Sequence, residues 1–465
     1  MSEKRAPNVL FVGFRRPLNQ QAVRQALAGS RVGRLGLISR RNFLGSQADY
    51  FLTTRRGFRG CTFDANPFAA FPSASFVRNQ QPSEVMVLRM FERIYRSLSS
   101  GQSYEVRKRL YLEQLAWAYG LIEDLDIDTI IFSDVPHSPF AYILHSVARA
   151  LGRKTFFFLQ LQVKDSYVIA SSIETAFDPL RAEYQRLKAA GGPVTLRGRA
   201  QREFDRRSGK QEPFYMHMDG LSWWARIREW AKWTFRIDTR LRVHRTLRNG
   251  LAYWRARKAL PPPGTNFVYF PLHLQPEAQT SPLGGVFVDQ YLAVEMLARA
   301  LPPGWVLVIK EHPAQRLAKR DYGFYARLGR ISNVRLVSRS TGTFALTEQC
   351  RAVASITGTA GWEALFMAKP VLVFGNAFYR GAPGTVSIDD PRDLAAQLRE
   401  IERGRFPVCT SAELERFVCA VEHCTEEGIV DKVYLRDSDL SEQQSIDNYA
   451  AALIRLIERP ETFKS

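Results

Sequence analysis

Cysteines are few in this sequence and none are closely paired. Five occur in 465 residues, namely Cys61, Cys350, Cys409, Cys419 and Cys424. An odd number of scattered cysteines argues against a disulfide framework, and the absence of a CxxC pair argues against a zinc site. We therefore expect free thiols and a reducing, cytoplasmic location.

Long apolar runs are also lacking. No stretch of about 18 uncharged apolar residues occurs, which is the length that a membrane-spanning helix needs. The apolar run at 9–12 ends at Gly13 and is too short for the apolar region of a secretory signal. We expect a protein that does not cross a bilayer and whose first element is a β-strand.

Acidic residues are too few to balance the basic ones. Lys and Arg number 65 and Asp and Glu 46, so the formal net charge is +19. Residues 181–260 alone hold 20 basic and 7 acidic residues. The positive charge is therefore local, and a partner that carries negative charge, such as phosphate, nucleic acid or lipid, is expected.

Apolar segments of strand length alternate with helical patterns in two runs, which is typical of parallel sheets covered by helices on both faces. The first run predicts strands at 8–12, 34–38, 129–132 and 155–159, with helices at 19–27, 84–98, 104–123 and 138–151. The second predicts strands at 267–270, 306–310, 334–337, 352–356 and 371–374, with helices at 288–301, 322–328, 344–350 and 361–367.

This organisation predicts an α/β protein with two doubly wound domains facing a cleft. We expect an N-terminal domain at 1–180, a basic, Trp-rich helical insertion at 181–263, a second domain at 264–388 and C-terminal helices at 389–465 that pack back. The breaker cluster Pro261-Pro262-Pro263-Gly264 marks the second domain's start.

The segment 357–361, TGTAG, joins a predicted strand to a helix. Its glycines permit close approach to the backbone, and the helix N-terminus offers unpaired N–H groups to an anion. The pattern predicts a phosphate-binding turn, with the hydroxyls of Thr357 and Thr359 as further donors. A tight turn that binds nothing has the same pattern, because glycine-rich turns are common.

Two further side chains lie at the ends of predicted strands or close to them. His312 follows Lys310 and Glu311, where an imidazole can donate to a phosphate oxygen or neutralise a leaving group. A structural histidine is the alternative. Glu363 lies two residues into the helix after the turn. Its carboxylate can accept hydrogen bonds from ribose hydroxyls. The alternative is that its negative charge only stabilises the first turn of the helix.

Several segments in order resemble the capsule polysaccharide biosynthesis family of bacterial surface-carbohydrate glycosyltransferases. They are QPE at 275–277, SPLGG at 281–285, KEHP at 310–313, TGTAGWEAL at 357–365 and KPVLVFG at 369–375. The resemblance is dense over 266–385 and loose over the first half. It implies the GT-B architecture of two Rossmann-like domains, and sugar transfer from a nucleotide donor held by the second domain, without a required metal or other cofactor.

The best-known relatives use the CMP-activated acid sugar Kdo. The resemblance therefore implies transfer of Kdo or a related acid sugar, from a CMP- or UDP-linked donor, to a surface or capsular polysaccharide. In this family the His of the Lys-x-His-Pro segment contacts the donor phosphate, which assigns that contact to His312. The donor-binding residues implied are Gln275, Lys310, His312, Thr357, Gly358, Thr359, Gly361 and Glu363.

The first domain is expected to supply the acceptor side. Asp134 and His137 follow the predicted strand 129–132, at the edge where a doubly wound sheet places its ligands, and the Pro-His pair here resembles the family too. Either side chain could be the general base on an acceptor hydroxyl. Asp134 could instead cap the following helix. Glu277 and Asp289 are rival catalytic carboxylates.

Other functions share these motifs. A polyol-phosphate transferase that uses a CDP-activated donor, as in teichoic-acid polymerases, also has a Lys-x-His-Pro segment, and it would leave phosphate in its product. Nucleotide-sugar epimerases are a third possibility on fold analogy alone. A non-catalytic membrane- or RNA-bound scaffold is the non-enzymatic alternative, which the polar residues at the strand ends argue against.

The basic segment 221–260 holds five of the eight tryptophans. Trp223, Ile227, Trp230 and Ile237 have helical spacing, and a basic amphipathic helix can rest in the headgroup layer of an anionic membrane. A peripheral position on the inner membrane would suit a lipid-linked glycan acceptor. A helical hairpin that buries its tryptophans against the domains is the alternative. Nucleic acid is not an expected partner, because no RNA-binding motif accompanies the charge.

Overall fold

The computed structural model describes residues 5–53, 66–95, 103–209, 239–275, 280–317, 320, 323–430, 434–435 and 437–463. The chain divides into two units. Unit 1 comprises Met1–Pro179 and Glu422–Ser465, and unit 2 comprises Leu180–Val421. The segment 389–465, expected as one set of C-terminal helices, is therefore shared between the units.

Unit 1 contains one seven-stranded sheet in the order β13-β6-β5-β4-β1-β2-β3. Its strands are β1 (Val9–Gly13), β2 (Leu35–Ser39), β3 (Tyr50–Thr53), β4 (Thr129–Phe132), β5 (Lys154–Gln160), β6 (Ser166–Ala170) and β13 (Glu426–Glu427). The strands from β5 to β3 are parallel, whereas β6 and β13 are antiparallel to their neighbours.

The helices of unit 1 cover this sheet. They are α1 (Pro17–Ala28), α2 (Ala74–Asn79), α3 (Gln81–Tyr95), α4 (Tyr104–Asp124), α5 (Pro139–Ala150) and α15 (Glu442–Glu458). The C-terminal helix α15 packs along α1 and completes a core that includes Phe11, Phe158 and Tyr449. A capping box between Ser441 and Gln444 starts α15.

Unit 2 contains a six-stranded sheet, parallel throughout, in the order β12-β11-β10-β7-β8-β9. Its strands are β7 (Phe267–Pro271), β8 (Val306–Lys310), β9 (Val334–Val337), β10 (Ala352–Ser355), β11 (Val371–Val373) and β12 (Thr385–Ser387). Its strands are mostly apolar and buried, because helices cover a parallel sheet on both faces.

Nine helices of unit 2, or shared with it, are described. They are α6 (Asp178–Ala190), α7 (Gly198–Ser208), α8 (Thr239–Ala256), α9 (Gln290–Ala300), α10 (Phe324–Arg330), α11 (Thr343–Gln349), α12 (Thr359–Leu365), α13 (Pro391–Glu402) and α14 (Ser411–His423). Of the basic insertion, α6, α7 and α8 are described, and residues 210–238 lie outside the described part.

The α/β class with two Rossmann-like domains is confirmed. Every predicted strand occurs within one or two residues of its expected bounds, but β3, β6, β12 and β13 were not predicted. The strands β3 and β12 lie at sheet edges with only half-buried residues, so their apolar pattern is weak. The helix expected at 361–367 begins at Thr359, two residues earlier.

Candidate functional site

Three neighbouring strands of unit 2 end beside the predicted donor-binding residues. The order β10-β7-β8 places the carboxyl ends of these parallel strands at one edge of the sheet. His273 and Gln275 follow β7, Glu311 and His312 follow β8, and Thr357 follows β10. Ligands of open parallel sheets bind at this edge, so the topology brings together the three segments that the sequence singled out.

A buried ion pair holds the ends of β7 and β8 together. Neither Glu311 nor Arg320 is exposed. The guanidinium of Arg320 donates to both carboxylate oxygens of Glu311, at 2.9 and 2.5 Å. Tyr325 also donates to Glu311, at 2.6 Å, so this carboxylate is fully engaged and serves structure.

Arg320 extends the same network to the QPE segment. It donates to Oε1 of Gln275 at 3.0 Å and to the carbonyl of His273 at 2.8 Å. The amide of Gln275 donates in turn to the carbonyl of Val288 at 2.6 Å. Both polar side-chain atoms of Gln275 therefore make bonds within unit 2, and its predicted donor-binding role stays a prediction. Glu277 lies outside the described residues.

His312 is half-buried and has a defined hydrogen-bonding state. The N–H of Ala314 donates to its Nδ1 at 3.2 Å. Burial lowers the pKa of His312, opposed by Glu311 and reinforced by Arg320 and Lys310. The ring is neutral at pH 7 and carries its proton on Nε2. The protonated Nε2 can donate a hydrogen bond, and the two roles expected for His312, donation to a phosphate oxygen and neutralisation of a leaving group, stay predictions.

Lys310 is buried, and its ammonium is not simply solvated. Its ammonium donates to the hydroxyl of Thr343, at the first residue of α11, at 2.7 Å. The residue contributes positive charge beside His312.

The turn before α12 is held by contacts on both sides. The N–H of Gly358 donates to the Ser355 hydroxyl at 3.1 Å, and its carbonyl accepts from the hydroxyl of Tyr379 at 2.5 Å. A Cβ at Gly358 would lie 2.5 Å from the ring of His273, and one at Gly361 would lie 2.5 Å from Tyr379. Both glycines are therefore required by packing, while Gly358 and Thr359 remain partly exposed.

Glu363 is buried and forms an ion pair with Arg207 of α7, a helix that lies outside the sequence motifs. It is the fifth residue of α12, so the expected place in the first helical turn was wrong. Arg207 of α7 donates to Glu363 at 3.2 Å and to Glu203 at 2.9 Å. The indole of Trp362 also donates to Glu203, at 3.0 Å. Arg207 thus orients the carboxylate that the resemblance assigns to the donor.

The two acceptor-side candidates lie together in unit 1. Nδ1 of His137 is 3.7 Å from a carboxylate oxygen of Asp134 and 2.8 Å from the carbonyl of Val135. A carbonyl oxygen can only accept, so Nδ1 of His137 donates in this hydrogen bond. The N-cap position of α5 is Ser138, whose side chain makes no capping hydrogen bond, so the alternative that Asp134 caps this helix was wrong.

Asp289, the rival carboxylate, is the N-cap residue of α9 and accepts from the N–H of Tyr291 at 3.3 Å. In the part of the chain that the structure describes, no group of three or more His, Cys, Asp or Glu side chains could hold a metal ion. The four cysteines within it, at 350, 409, 419 and 424, are free thiols. None of the described helices is both long and apolar enough to span a membrane.

Residues 270–398 match the family described as capsule polysaccharide biosynthesis protein. This match confirms the resemblance for the segment that contains β8 to β12 and the donor-binding candidates. The comparison with curated proteins found no match.

Similar solved structures include two KpsC enzymes of Thermosulfurimonas dismutans. The beta Kdo 2,7 transferase is 11% identical with a TM-score of 0.31, over 78% of this chain and 95% of that one. The beta Kdo 2,4 transferase is 12% identical with a TM-score of 0.30, over 70% and 87%. UDP-GlcNAc 2-epimerase of Neisseria meningitidis is 11% identical with a TM-score of 0.25, over 96% and 98%. These values are too low to assign an activity.

Proposed function

We propose that this protein is a glycosyltransferase of capsule or surface-polysaccharide assembly, which uses a nucleotide-activated sugar as donor. The observation that carries the proposal is the coincidence of two findings on one segment. The family match spans 270–398, and within that segment His312 follows β8, Thr359 follows β10, and Glu363 lies in the helix α12 that begins at Thr359.

The donor chemistry follows from the groups at this edge. Nε2–H of His312 and the hydroxyl of Thr359 are suited to phosphate oxygens, and the carboxylate of Glu363 is suited to ribose hydroxyls. We assign the donor to the CMP- or UDP-linked sugars, with Kdo or a related acid sugar as the transferred group. No cofactor beyond this nucleotide sugar, and no metal, is part of the proposal.

In the proposed transfer, the bond between the anomeric carbon and the donor phosphate oxygen breaks, and both electrons remain on that oxygen. The acceptor hydroxyl oxygen forms the new bond to the anomeric carbon. Its proton passes to Asp134 or to Nε2 of His137. Hydrogen bonds that strengthen as charge grows on the leaving oxygen lower the barrier.

We also propose that α8 places the enzyme on an anionic membrane, where a lipid-linked glycan acceptor would be presented. One face of α8 packs on unit 2 through Asn249, Tyr253 and Ala256. On the opposite face Leu247, Leu251 and Trp254 are 69%, 48% and 69% exposed. Residues 239–260 contain no Asp or Glu, so the charge suits anionic headgroups.

The central experiment measures nucleotide binding and transfer. CMP or UDP at millimolar concentration is expected to raise the melting temperature, because a ligand that binds only the folded state stabilises it. His312→Ala is expected to keep the fold and to lower transfer by about 100-fold or more, the usual cost of one lost transition-state donor. His423→Ala, an exposed histidine of α14, is the matched control.

Three results would count against the proposal. The first is that no nucleotide shifts the melting temperature, and the second is that the His312 variant transfers sugar at the full rate. The third is a loss of transfer in EDTA, which would contradict the proposal that no metal is required. Phosphate in the polymer product would instead favour the polyol-phosphate transferase.

A further inference from the structure

One buried histidine at the donor-binding edge has no role in the motifs considered above. His273 follows β7 and only 7% of its surface is exposed. Its backbone N–H donates to Gln290 at 2.9 Å, and its carbonyl accepts from the same side chain at 3.2 Å. The ring lies against Gly358 after β10, and it is close enough to His312 after β8 for the two imidazoles to interact electrostatically. His273 therefore lies among all three strand ends.

A hydrogen bond determines which nitrogen of His273 carries the proton. The N–H of Ile356 donates to Nε2 at 3.2 Å, so Nε2 holds no proton. Burial, followed by the electrostatic interactions with His312 and Arg320, lowers the pKa of His273 to about 3. The ring is neutral across the physiological range, and its single proton is on Nδ1.

The Nδ1 side of the ring lies against the turn before α12. A Cβ built on Gly358 would be 3.0 Å from Nδ1 and 2.5 Å from Cε1. Among the described residues, the hydrogen bonds of His273 involve its backbone and Nε2 and leave Nδ1–H without an acceptor. This N–H can therefore donate to an acceptor that a bound ligand supplies.

We propose that His273 is a second imidazole of the donor site, and that its Nδ1–H donates a hydrogen bond to an anionic oxygen of the phosphate joining nucleotide and sugar. This inference rests on the proposed function, because that function supplies the phosphate. Two neutral imidazoles, His273 through Nδ1 and His312 through Nε2, would then donate to one anionic group. A neutral donor at a buried position avoids the desolvation of a charged side chain in the unliganded protein.

Two replacements separate the roles of the two ring nitrogens. Glutamine places an oxygen near the position of Nε2, so His273→Gln keeps an acceptor for the N–H of Ile356 and loses the Nδ1 donor. Asparagine places an N–H near the position of Nδ1, so His273→Asn keeps the donor and loses that acceptor. A purely structural histidine would tolerate glutamine in both stability and binding.

Isothermal titration with CMP and UDP, together with thermal unfolding, provides the test. For His273→Gln we expect a melting temperature near that of the wild type and nucleotide affinity about ten- to a hundredfold weaker, the usual cost of a hydrogen bond to a charged group. His273→Asn should melt lower but retain more of the affinity. His145→Gln, at a buried histidine of unit 1, is the matched control and should bind nucleotide normally.

The ratio of wild-type to His273→Gln affinity should stay constant between pH 5.5 and 8.5, because the ring does not titrate there. Wild-type affinity in the His273→Gln variant, or a ratio that changes with pH, would overturn the inference and leave the proposed function intact. A wild-type protein that binds neither nucleotide would instead remove the proposed function itself.

Discussion

At the residue scale, the arrangement of the donor-binding segments depends on Arg320. Its guanidinium bonds Glu311, Gln275 and the carbonyl of His273, so it connects the ends of β7 and β8. No sequence motif marks this arginine, because it lies between the conspicuous segments and its burial is a property of the folded chain. A single charged side chain in a basic sequence is ordinarily a solvated one.

Replacement of Arg320 by methionine should strongly destabilise unit 2. The carboxylate of Glu311 would then be buried without its cation, which costs about 3–5 kcal/mol. Arg299→Met is the control, because the ion pair of Arg299 with Glu295 lies at the surface. This substitution should change the free energy of unfolding by about 1 kcal/mol or less. Urea unfolding followed by tryptophan fluorescence measures both. Equal losses in the two variants would contradict the structural role of the buried pair.

The double variant Glu311→Gln/Arg320→Met should recover part of the stability lost by Arg320→Met, because no unpaired charge then remains buried.

At the scale of helices, α7 is basic but buries some of its charged residues, whereas the charged residues of a basic helix are ordinarily exposed to solvent. Its buried positions Ala200, Glu203 and Arg207 include two charged residues at helical spacing. Burial is tolerated because Arg207 lies between two carboxylates and Trp362 donates to Glu203. No local sequence pattern marks these buried charges, because the partners Trp362 and Glu363 lie far along the chain.

The membrane proposal depends on three exposed apolar residues of helix α8. The variant Leu247→Ser/Leu251→Ser/Trp254→Ser should reduce flotation with vesicles of anionic phospholipid by roughly tenfold or more, because three apolar side chains no longer enter the headgroup layer. Flotation of the wild type should weaken in high salt, because its arginines are then screened.

The matched control is Phe71→Ser/Val85→Ser, which removes two similarly exposed apolar side chains of unit 1. We expect this variant to float like the wild type. Unchanged flotation of the α8 variant would show that α8 is not the membrane contact. Trp223, Ile227, Trp230 and Ile237, predicted for the same amphipathic helix, lie outside the described residues.

At the scale of the whole molecule, the described residues of each unit include a buried histidine that stays neutral. Burial lowers the pKa of His145 in unit 1 to about 4 and that of His273 in unit 2 to about 3. Unfolding returns both to about 6.5. Below that pH the unfolded chain binds protons that the folded chain does not, so stability is complete above pH 6.5 and falls as pH decreases.

Each histidine should contribute up to about 1.4 kcal/mol of lost stability per pH unit between roughly pH 6 and pH 4. His145→Gln keeps a donor for the carbonyl of Ser171, and should flatten the acid-side decline of unit 1. Urea titrations at pH 7.5, 5.5 and 4.5 test this. An identical pH slope for the wild type and the variant would contradict the buried neutral state of His145.

The amino-acid sequence alone was enough to predict the α/β class, the long strands and helices, and a family resemblance that is dense over residues 266–385. These depend on local apolar periodicity and on ordered short motifs, which the chain carries without reference to distant residues. For the same reason the sequence singled out His312 and Glu363, whose donor-binding roles stay predictions. The helix that contains Glu363 begins two residues before its expected start at 361.

The partners of those residues can be known only from the folded chain. The tautomers of His273 and His312, the pairing of Glu363 with Arg207 and the bonds of Arg320 depend on side chains that are distant in sequence and on burial. Burial sets the local dielectric, and the local dielectric determines whether an imidazole is charged or neutral. That electrostatic environment arises only when strands from separate segments lie side by side, so no short stretch of sequence contains it.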